Sequence, residues 1–162
     1  MTELRTERLL LRPAWPSDLE ALHAVLSHPQ GMRYWSTLPH ATIAETREWI
    51  DNMIAIPPVE GEDFVIVLDG AVIGKAGLYR FPSIGYILHP DHWGRGYARE
   101  ALAVLIERAF REHGLKRIDA DVDPRNLASM GLLGRLGFVE THRAERTWLI
   151  GDEWCDSVYL SL

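Results

Sequence analysis

The glycine-rich segment Trp93–Arg99, with the sequence WGRGYAR, has the residue types of an anion-binding loop. Apolar residues recur behind it at helical spacing, so a long helix is predicted to begin in this segment and to end at Gly114. The first backbone N–H groups of a helix lack intrahelical partners, and the helix dipole adds roughly half a positive charge at that end. Glycine lets the backbone approach an oxygen atom closely. The segment therefore predicts a phosphate site formed by the backbone of Gly94, Arg95, Gly96 and Tyr97, with positive charge from Arg95 and Arg99 nearby.

Two common nucleotide-binding loops do not fit this segment. A dinucleotide-binding loop follows its strand directly and has a third glycine, whereas here five residues precede Gly94 after the predicted strand and Arg99 fills the third glycine position. A P-loop requires G-x-x-x-x-G-K-[ST], and the nearest candidate, residues 70–76, is one residue short and has alanine after Lys75. Two interpretations of the segment remain: a phosphate loop of a third kind, or a tight turn whose glycines serve only backbone geometry.

Strands and helices must hold this loop in place, and hydrophobic periodicity predicts both. Helices are expected to open at two capping boxes, Ser17–Glu20 and Thr42–Glu45, and Asp69-Gly70 is expected to form a type I′ hairpin turn. The order of elements is βααβββαβαββ, which predicts a mixed α+β fold in one domain over residues 1–162. The predicted strands cover residues 8–12, 64–68, 71–79, 83–88, 117–122, 138–150 and 154–162, and the predicted helices cover 17–27, 42–56, 98–113 and 126–136.

The composition of the 162 residues argues against several classes of protein. The net charge of −6 disfavours a nucleic-acid surface, and no apolar run approaches the roughly 18 residues of a membrane span. Charged residues near the N-terminus argue against a signal peptide, and the single cysteine, Cys155, fits a reducing compartment. A cytoplasmic protein without membrane contact is therefore expected. His89, Asp91 and His92 lie close together in a turn but lack a fourth ligand, so no metal is expected.

Two segments resemble signatures of one protein family. WGRGYAREAL resembles the acyl-CoA pyrophosphate loop of the GNAT superfamily of N-acetyltransferases, whose pattern is Gln/Arg-x-x-Gly-x-Gly/Ala. Gly96 and Ala98 match its fourth and sixth positions, and Trp93 departs from its first. DPRNLASMGLLGRLGFVE, residues 123–140, is similar to the second signature of the branch that contains ribosomal-protein-alanine acetyltransferases, and TERLLLRP is similar to the first strand of that branch. The resemblance covers nearly the whole chain.

The resemblance implies a fold and a donor substrate. The fold is the single-domain GNAT fold, a mixed and mostly antiparallel central sheet flanked by helices and splayed where acyl-CoA binds. The donor would be acetyl-CoA, with its pantetheine arm beside the strand 83–88, and a backbone N–H of Ile87 or Leu88 would polarise the thioester carbonyl. Gly85 would either mark a bulge that opens the gap or make room for a packed neighbour. Beyond the loop residues, the implied acyl-CoA contacts are Ile87, Leu88, His89, Asn126, Ser129 and Arg135.

The catalytic acid departs from the family pattern. Many members carry a tyrosine where this chain has Leu133, and the predicted helix 126–136 contains no tyrosine. Ser129 is therefore the expected proton donor to the leaving thiol, with helix capping beside Asn126 as its alternative role. A thiol of pKa about 8–9 leaves readily, so a weak acid suffices.

The expected reaction is direct transfer of an acetyl group to a primary amine without a covalent enzyme intermediate. The acceptor is a protein N-terminus or a small-molecule amine. An α-amino group, with a reference pKa of about 7.7–8.0, needs less help from a base than a lysine side chain at about 10.4. A non-catalytic acyl-CoA-binding module is the alternative, and the oligomeric state, including a homodimer, stays open. The expected acceptor-site residues are Tyr34, Trp35, Asp119, Asp121, Trp148 and Trp154, for which core packing and a solvated strand face are the competing roles.

Overall fold

One sheet of eight strands and four helices make up the computed structural model, which describes residues 2–162. No helix in that range is both long and apolar enough to cross a bilayer. The strands are β1 Leu4–Arg5, β2 Leu9–Arg12, β3 Glu62–Leu68, β4 Ala71–Arg80, β5 Ser83–Leu88, β6 Asp119–Val122, β7 Val139–Ile150 and β8 Glu153–Ser161. The helices are α1 Leu19–Leu26, α2 Ile43–Ile54, α3 Tyr97–Arg111 and α4 Leu127–Arg135, and short 3-10 turns cover Pro16–Asp18 and Pro90–His92.

The order of elements along the chain is the predicted one with a single addition. The addition is β1, which pairs antiparallel with β2 through Leu4 opposite Leu11 and Arg5 opposite Leu10. A strand of two residues is too short for an alternating pattern to reveal it. The other helices and strands begin and end within a few residues of their predicted bounds, so the α+β prediction is confirmed.

The two predicted capping boxes have different outcomes. Thr42 accepts a hydrogen bond from the Glu45 backbone N–H, and the Glu45 carboxylate accepts one from the Thr42 backbone N–H, as predicted for the start of α2. The prediction at Ser17 is wrong. The Asp18 carboxylate accepts from the Trp15 backbone N–H instead, and a 3-10 turn precedes α1.

Adjacent strands of the sheet follow the order β1-β2-β3-β4-β5-β6-β8-β7, and every adjacent pair except β5 and β6 is antiparallel. The β3–β4 hairpin turns at Asp69 and Gly70, whose φ angles of 49° and 83° are both positive. Positive φ at both central residues is typical of a type I′ turn, so that prediction is confirmed.

The sheet opens between β5 and β6. These strands pair only at Ser83 and Asp119, whereas β5 remains paired with β4 as far as Leu88. Residues 84–88 therefore have one edge without a strand partner among residues 2–162. The splay that the family resemblance implies lies at this edge, and it is called the opening below.

Two hydrophobic cores fix β5 from opposite faces of the sheet. One contains Leu102 of α3, and the other contains Leu22 of α1 and Ile50 of α2. Side chains alternate along a strand, so Leu88 packs in the first core and Ile87 in the second. Full burial of such an aliphatic side chain contributes about 1.5–3 kcal/mol, so β5 is held firmly although one of its edges is open.

The bulge predicted at Gly85 lies in the neighbouring strand. The irregularity in pairing is in β4, between Gly77 and Arg80. Gly85 provides space, because a Cβ atom at this position would lie 3.3 Å from the ring of Tyr79. The alternative interpretation, room for a packed neighbour, is therefore confirmed, and the opening arises from the divergence of β5 and β6.

Candidate active site

The glycine loop, Trp93–Tyr97, ends in an uncapped helix start. Gly94 and Gly96 have φ angles of 71° and 82°, in the left-handed region that favours glycine. α3 begins at Tyr97, and no side chain of the described residues caps its first turn. The bond from the Glu100 N–H to the Gly96 carbonyl closes the first turn, so the N–H groups before Glu100 point out of the helix end. The predicted helix start is confirmed, and its N–H groups are available to an anion.

The two cations predicted beside the loop, Arg95 and Arg99, are exposed. Neither side chain forms an ion pair with a carboxylate of residues 2–162. Ala98, between the loop and the body of α3, is half-buried. Both guanidinium groups therefore retain their charge for an anionic ligand.

Arg8, which sequence analysis did not single out, holds the loop in place. Its Nη1 donates to the Arg95 backbone oxygen at 2.9 Å, and its Nε pairs with Glu100 Oε2 at 2.7 Å. The guanidinium also lies over the Tyr97 ring, 4.6 Å from the ring centre. Burial alone would raise the pKa of the Glu100 carboxyl, but hydrogen bonds from Thr6 and Arg8 outweigh burial and lower this pKa. No local sequence signal marks the Arg8–Glu100 pair, because 92 positions separate its members.

Trp93 and His89 connect the loop to the end of β5. The Trp93 indole Nε1 donates to the Leu88 backbone oxygen at 3.0 Å, which gives tryptophan a structural role where the family pattern has glutamine or arginine. His89 Nδ1 accepts from the Asp91 backbone N–H at 3.1 Å and so begins the turn Pro90–His92. Among residues 2–162, no three His, Cys, Asp or Glu side chains are grouped to hold a metal ion.

The register of β5 separates the two candidates for polarising a carbonyl. The His89 N–H donates to the Ile73 carbonyl of β4 at 2.9 Å. Backbone groups of an antiparallel strand alternate between its two edges, so the N–H of Ile87, opposite Lys75, also faces β4. The N–H of Leu88 faces the opening. The Ile87 N–H is therefore not a candidate for polarising the carbonyl, because it is used within the sheet. The Leu88 N–H is the remaining candidate.

A tyrosine of β5 lies beside Ser129 of α4, a helix that contains no tyrosine of its own. Tyr86 Oη is hydrogen-bonded to Ser129 Oγ on the first turn of α4. Burial raises the pKa of Tyr86 to about 12, although the bond to Ser129 opposes this shift. Asn126 caps the helix by accepting from the Ser129 backbone N–H at 3.2 Å, so Ser129 Oγ is not needed as a cap. Arg135, at the other end of α4, is exposed and lies over Gly131.

A cavity of about 640 Å³, called the β5 cavity below, lies between the sheet, α2, the α1–α2 loop and the β7–β8 hairpin. Gly85 of β5 forms part of its wall. Four of the predicted acceptor-site residues line it, and two do not. Those in its wall are Tyr34, Trp35, Asp121 and Trp148, and those outside it are Asp119 and Trp154.

Asp119 and Trp154 lie away from the β5 cavity for geometric reasons. Asp119 sits where β5 and β6 are still paired, and its carboxylate accepts from Ser161 Oγ at 2.5 Å and from Arg117 Nε at 2.9 Å. Trp154 points to the face of β8 opposite to that of Cys155, which lines the cavity. The structure does not bring these two residues together with the other four, so Asp119 and Trp154 are removed from the predicted acceptor site.

Acidic side chains are frequent in the wall of the β5 cavity. The Asp123 carboxylate accepts two hydrogen bonds from the Arg125 guanidinium and one from the Arg125 backbone N–H, and the guanidinium also reaches Glu153 at 2.5 Å. Burial alone would raise the pKa of the Asp123 carboxyl, but the hydrogen bonds and charge of Arg125 outweigh burial and lower this pKa. Asp121 accepts from Trp148 Nε1 at 3.0 Å. Acidic groups outnumber basic ones among the residues of this wall, whose basic members are Arg33 and Lys75.

Lys75 and Asp63 form a buried ion pair in the sheet wall of the β5 cavity. Their Nζ and Oδ2 atoms are 2.8 Å apart, and the side chains are 3% and 4% exposed. The ammonium also lies 5.7 to 6.0 Å from the ring centres of Trp35, Trp49 and Tyr79. Burial raises the pKa of the Asp63 carboxyl, although Lys75 opposes this shift. Asp63 Oδ1 has no hydrogen-bond partner within residues 2–162.

The sequence did not predict this pair: Lys75 matched only part of a P-loop pattern, and Asp63 had no distinguishing local pattern. The available signal was a lysine among the apolar residues of the predicted strand 71–79, since lysine is almost never fully buried unless it is paired. The identity of the partner depends on the β3–β4 register, which the sequence pattern does not supply.

The fold and these sites resemble those of known proteins. Residues 8–139 match the family model described as an acetyltransferase (GNAT) domain. The chain belongs to the GNAT acetyltransferase family. This GNAT chain is 34% identical to the uncharacterized N-acetyltransferase p20 of Bacillus licheniformis. The alignment spans 148 residues and covers 85% of this chain and 83% of p20. It is 27% identical to the spermidine N(1)-acetyltransferase of Escherichia coli K12. That alignment spans 137 residues and covers 79% of this chain and 71% of the relative.

A solved structure of the same fold contains coenzyme A. RimL, a ribosomal L7/L12 alpha-N-protein acetyltransferase, has a TM-score of 0.88 and 20% identity to this GNAT chain, covering 99% of this chain and 97% of RimL. At that identity the likeness shows the fold. Family membership makes the protein an acyltransferase, and the alternative of a non-catalytic binding module is not favoured. The glycine loop fits a diphosphate, because its two positive-φ glycines and uncapped helix start present N–H groups to an anion.

Proposed function

We propose that this GNAT enzyme transfers an acetyl group from acetyl-CoA directly to a primary amine bound in the β5 cavity. The position of β5 carries the proposal. One edge of this strand borders the opening, Leu88 at its end is bonded to Trp93 of the glycine loop, and Gly85 lines the cavity. A donor and an acceptor therefore meet at one strand, as direct transfer requires.

The proposed donor site is the glycine loop together with the open edge of β5. The diphosphate binds the N–H groups at the start of α3, where the helix dipole favours negative charge. Arg8 acts as a positioning residue, because it holds the loop by its backbone. The proposed acyl-CoA contacts are Leu88, His89, Gly94, Arg95, Gly96, Tyr97, Ala98, Arg99, Asn126, Ser129 and Arg135.

Two groups beside the opening are proposed to act on the thioester. The Leu88 N–H polarises the carbonyl, and donors in this role are worth about 10²–10³ in kcat. The hydroxyl pair of Tyr86 and Ser129 gives a proton to the leaving sulfur. Because the pKa of Tyr86 is raised to about 12, this pair is protonated at pH 7 when the reaction begins.

The proposed acceptor is an amine that arrives as an ammonium ion. The acidic wall attracts the charge, and aromatic side chains contact the carbon chain that carries it. A cavity of about 640 Å³ accommodates either a small polyamine or the first residues of a peptide, the two acceptor classes in the names of the E. coli relative and of RimL. The single cysteine supports a reducing compartment, and we place the reaction in the cytoplasm. The proposed acceptor contacts are Tyr34, Trp35, Asp121 and Trp148.

Calorimetry with acetyl-CoA, followed by a thiol-release assay, tests this function. The acceptor panel contains spermidine, a peptide with a free N-terminal serine, a peptide with a free N-terminal alanine, and the same peptides with acetylated N-termini as controls. We expect acetyl-CoA to bind, at least one free amine to release thiol, and the blocked peptides to release none. Tight acetyl-CoA binding without release on any amine would contradict the proposed enzyme.

A further inference from the structure

One arginine contacts four residues of the wall of the β5 cavity from outside that wall. Arg125 lies in the turn between β6 and α4, and its side chain contacts Tyr34, Asp123, Glu153 and Cys155. All four line the β5 cavity, whereas Arg125 itself does not. They belong to three separate segments, which are the α1–α2 loop, the residue after β6, and β8. One side chain therefore joins three parts of the same wall.

The guanidinium group uses all three of its nitrogen atoms in these contacts. Nε and Nη2 donate to the two oxygens of the Asp123 carboxylate, at 2.9 and 2.6 Å. Nη1 donates to Glu153 Oε1 at 2.5 Å, and Nη2 also donates to Cys155 Sγ at 3.5 Å. The central carbon Cζ lies 5.6 Å from the centre of the Tyr34 ring, within the range of a cation–π contact. A planar fork of N–H groups can make this set of contacts, whereas a compact ammonium group cannot.

Two of the three joined segments lack support from the centre of the sheet. β8 pairs with β6 only from Val158 to Ser161, so Glu153 and Cys155 lie in a part of β8 that pairs with β7 alone. The α1–α2 loop, residues 27–42, contains no helix or strand. Side-chain contacts therefore fix the position of both segments relative to β6, and Arg125 supplies such a contact to each.

The turn that carries Arg125 is held by bonds of its own. The Asn126 N–H donates to the Asp123 carbonyl at 2.9 Å, and the Arg125 backbone N–H donates to the Asp123 carboxylate at 2.9 Å. The Asn126 side chain caps α4 by accepting from the Ser129 N–H at 3.2 Å. None of these three bonds uses the guanidinium group. Its removal should therefore leave the start of α4 in place and loosen only the segments that the guanidinium reaches.

The contacts of Arg125 with the hairpin and the loop contribute little to the stability of the fold. The side chains of Arg125 and Glu153 are 42% and 52% exposed, and ion pairs between exposed groups add little to the free energy of unfolding. The Asp123 side chain is only 8% exposed, so it anchors the guanidinium firmly. The contacts with Glu153 and Tyr34 are therefore explained by the positions of the two segments rather than by stability.

We propose that Arg125 is a positioning residue for acetyl transfer: it holds the α1–α2 loop and the β7–β8 hairpin against β6 and so keeps the β5 cavity in the shape that directs a bound amine toward β5. This inference rests on the proposed function, because it concerns the acceptor site of that reaction. Arg125 acts through the wall residues and does not contact the reacting atoms. A misplacement of about 1 Å can lower a rate about 100-fold, so a loosened wall should affect turnover as well as binding.

The test compares Arg125→Ala with the matched control Arg117→Ala. Each arginine pairs through Nε with an aspartate two residues away at 2.9 Å, but Arg117 precedes β6 and its partner Asp119 lies outside the β5 cavity. With the best acceptor of the panel, Arg125→Ala should raise the acceptor KM and lower kcat, so that kcat/KM falls about 10- to 100-fold. Acetyl-CoA affinity, measured by calorimetry, should stay constant. Arg117→Ala should retain the wild-type values of all three quantities.

Two further measurements separate the geometry of the guanidinium from its charge. Arg125→Lys keeps the positive charge but not the planar fork, so it should lose most of the same activity. Guanidinium chloride at millimolar concentration, far below the molar concentrations that unfold proteins, should restore part of the activity of Arg125→Ala by occupying the vacated site. It should leave the wild type and Arg117→Ala unaffected. A loss in Arg125→Ala that does not respond to guanidinium would overturn the positioning role.

The outcomes distinguish this inference from the proposed function. Wild-type protein that releases no thiol with any amine contradicts the proposed function and the inference with it. With an active wild type, full activity of Arg125→Ala overturns the inference alone, and so does a loss of acetyl-CoA affinity as large as the loss of acceptor kcat/KM. If Arg125→Ala does not fold, Arg125→Lys supplies the test. A reduced kcat/KM at an unchanged melting temperature supports the inference, and a wild-type kcat/KM overturns it.

Discussion

The proposed donor side and the proposed acceptor side of β5 are built in different ways. On the donor side, backbone groups dominate: the N–H groups of the glycine loop and the Leu88 N–H are positioned by two positive-φ glycines and by strand register. On the acceptor side, residues of the α1–α2 loop, α2, the four strands β3 to β6 and the β7–β8 hairpin form the wall. A backbone site tolerates changes of side chain, whereas a side-chain site changes its ligand with each substitution. The two halves of the enzyme should therefore respond to mutation independently.

The largest effect is expected where the two sides meet, at Tyr86. Tyr86→Phe removes the hydroxyl group bonded to Ser129 Oγ, and loss of a proton donor lowers kcat by about 10²–10⁴. Acetyl-CoA affinity and acceptor KM should change little, because the ring stays in place. The loss of kcat is measured as the rate of thiol release, in a stopped-flow or a steady-state assay.

Ser129→Ala provides the matched test of the hydroxyl pair. If the two hydroxyl groups act together, the double variant with Tyr86→Phe should be about as slow as the slower single variant. Independent, multiplicative losses would show that the pair does not work as a unit.

The next effect is confined to the donor side. Gly96→Val forces a β-branched residue to a φ of 82°, which costs about 1–3 kcal/mol and moves the N–H groups of the loop. We expect acetyl-CoA affinity to fall about 10- to 100-fold by calorimetry, with the affinity for the amine unchanged. Gly114→Val is the control, since Gly114 has a φ of 62° at the opposite end of α3. Gly114→Val should lower the melting temperature but leave acetyl-CoA affinity unchanged. If Gly96→Val and Gly114→Val lost acetyl-CoA affinity equally, the proposed donor site would be contradicted.

A smaller effect is expected on the acceptor side alone. Asp121→Asn removes a negative charge from the wall of the β5 cavity and retains an oxygen that can accept from Trp148 Nε1. We expect the acceptor KM to rise about 5- to 10-fold, an effect of roughly 1 kcal/mol that weakens in high salt. An unchanged acceptor KM would remove Asp121 from the acceptor site, and an altered acetyl-CoA affinity would break the independence of the two sides.

The smallest effect concerns the contact that positions the donor loop. The pKa of Glu100 is lower in the folded protein than in the unfolded chain, so its contribution to stability is present above the unfolded value of about 4.3 and is lost as the pH falls through the folded value. Glu100→Gln should therefore lower the melting temperature by a few degrees at pH 7 and by less at pH 3.5. An equal loss at both pH values would show that the charge of Glu100 does not stabilise the fold.

Local features were predictable from the sequence, and contacts between distant segments were not. The start of α3, the turn at Asp69-Gly70 and the capping box at Thr42 each depend on residues within a few positions of one another, and all three predictions are confirmed. The capping box at Ser17 failed because Asp18, one residue further on, accepts the N–H of Trp15 instead. One local pattern was therefore compatible with two arrangements.

The contacts of the candidate site that were not predicted all link separate parts of the chain. Ser129 was singled out as a proton donor, but its partner lies in β5, 43 residues earlier. Arg8 reaches Glu100 across 92 positions, and Asp63 reaches Lys75 diagonally between two strands. Such pairs depend on strand register and helix packing, which a single sequence does not determine.

The central claim is that acetyl-CoA and the amine occupy opposite sides of β5 at the same time. Initial rates measured while both substrates are varied test this claim most directly. We predict intersecting double-reciprocal lines, together with no increase in protein mass when acetyl-CoA is added alone. Parallel lines and an acetylated side chain, for example on Lys75 or Cys155, would instead indicate a covalent intermediate and would contradict direct transfer.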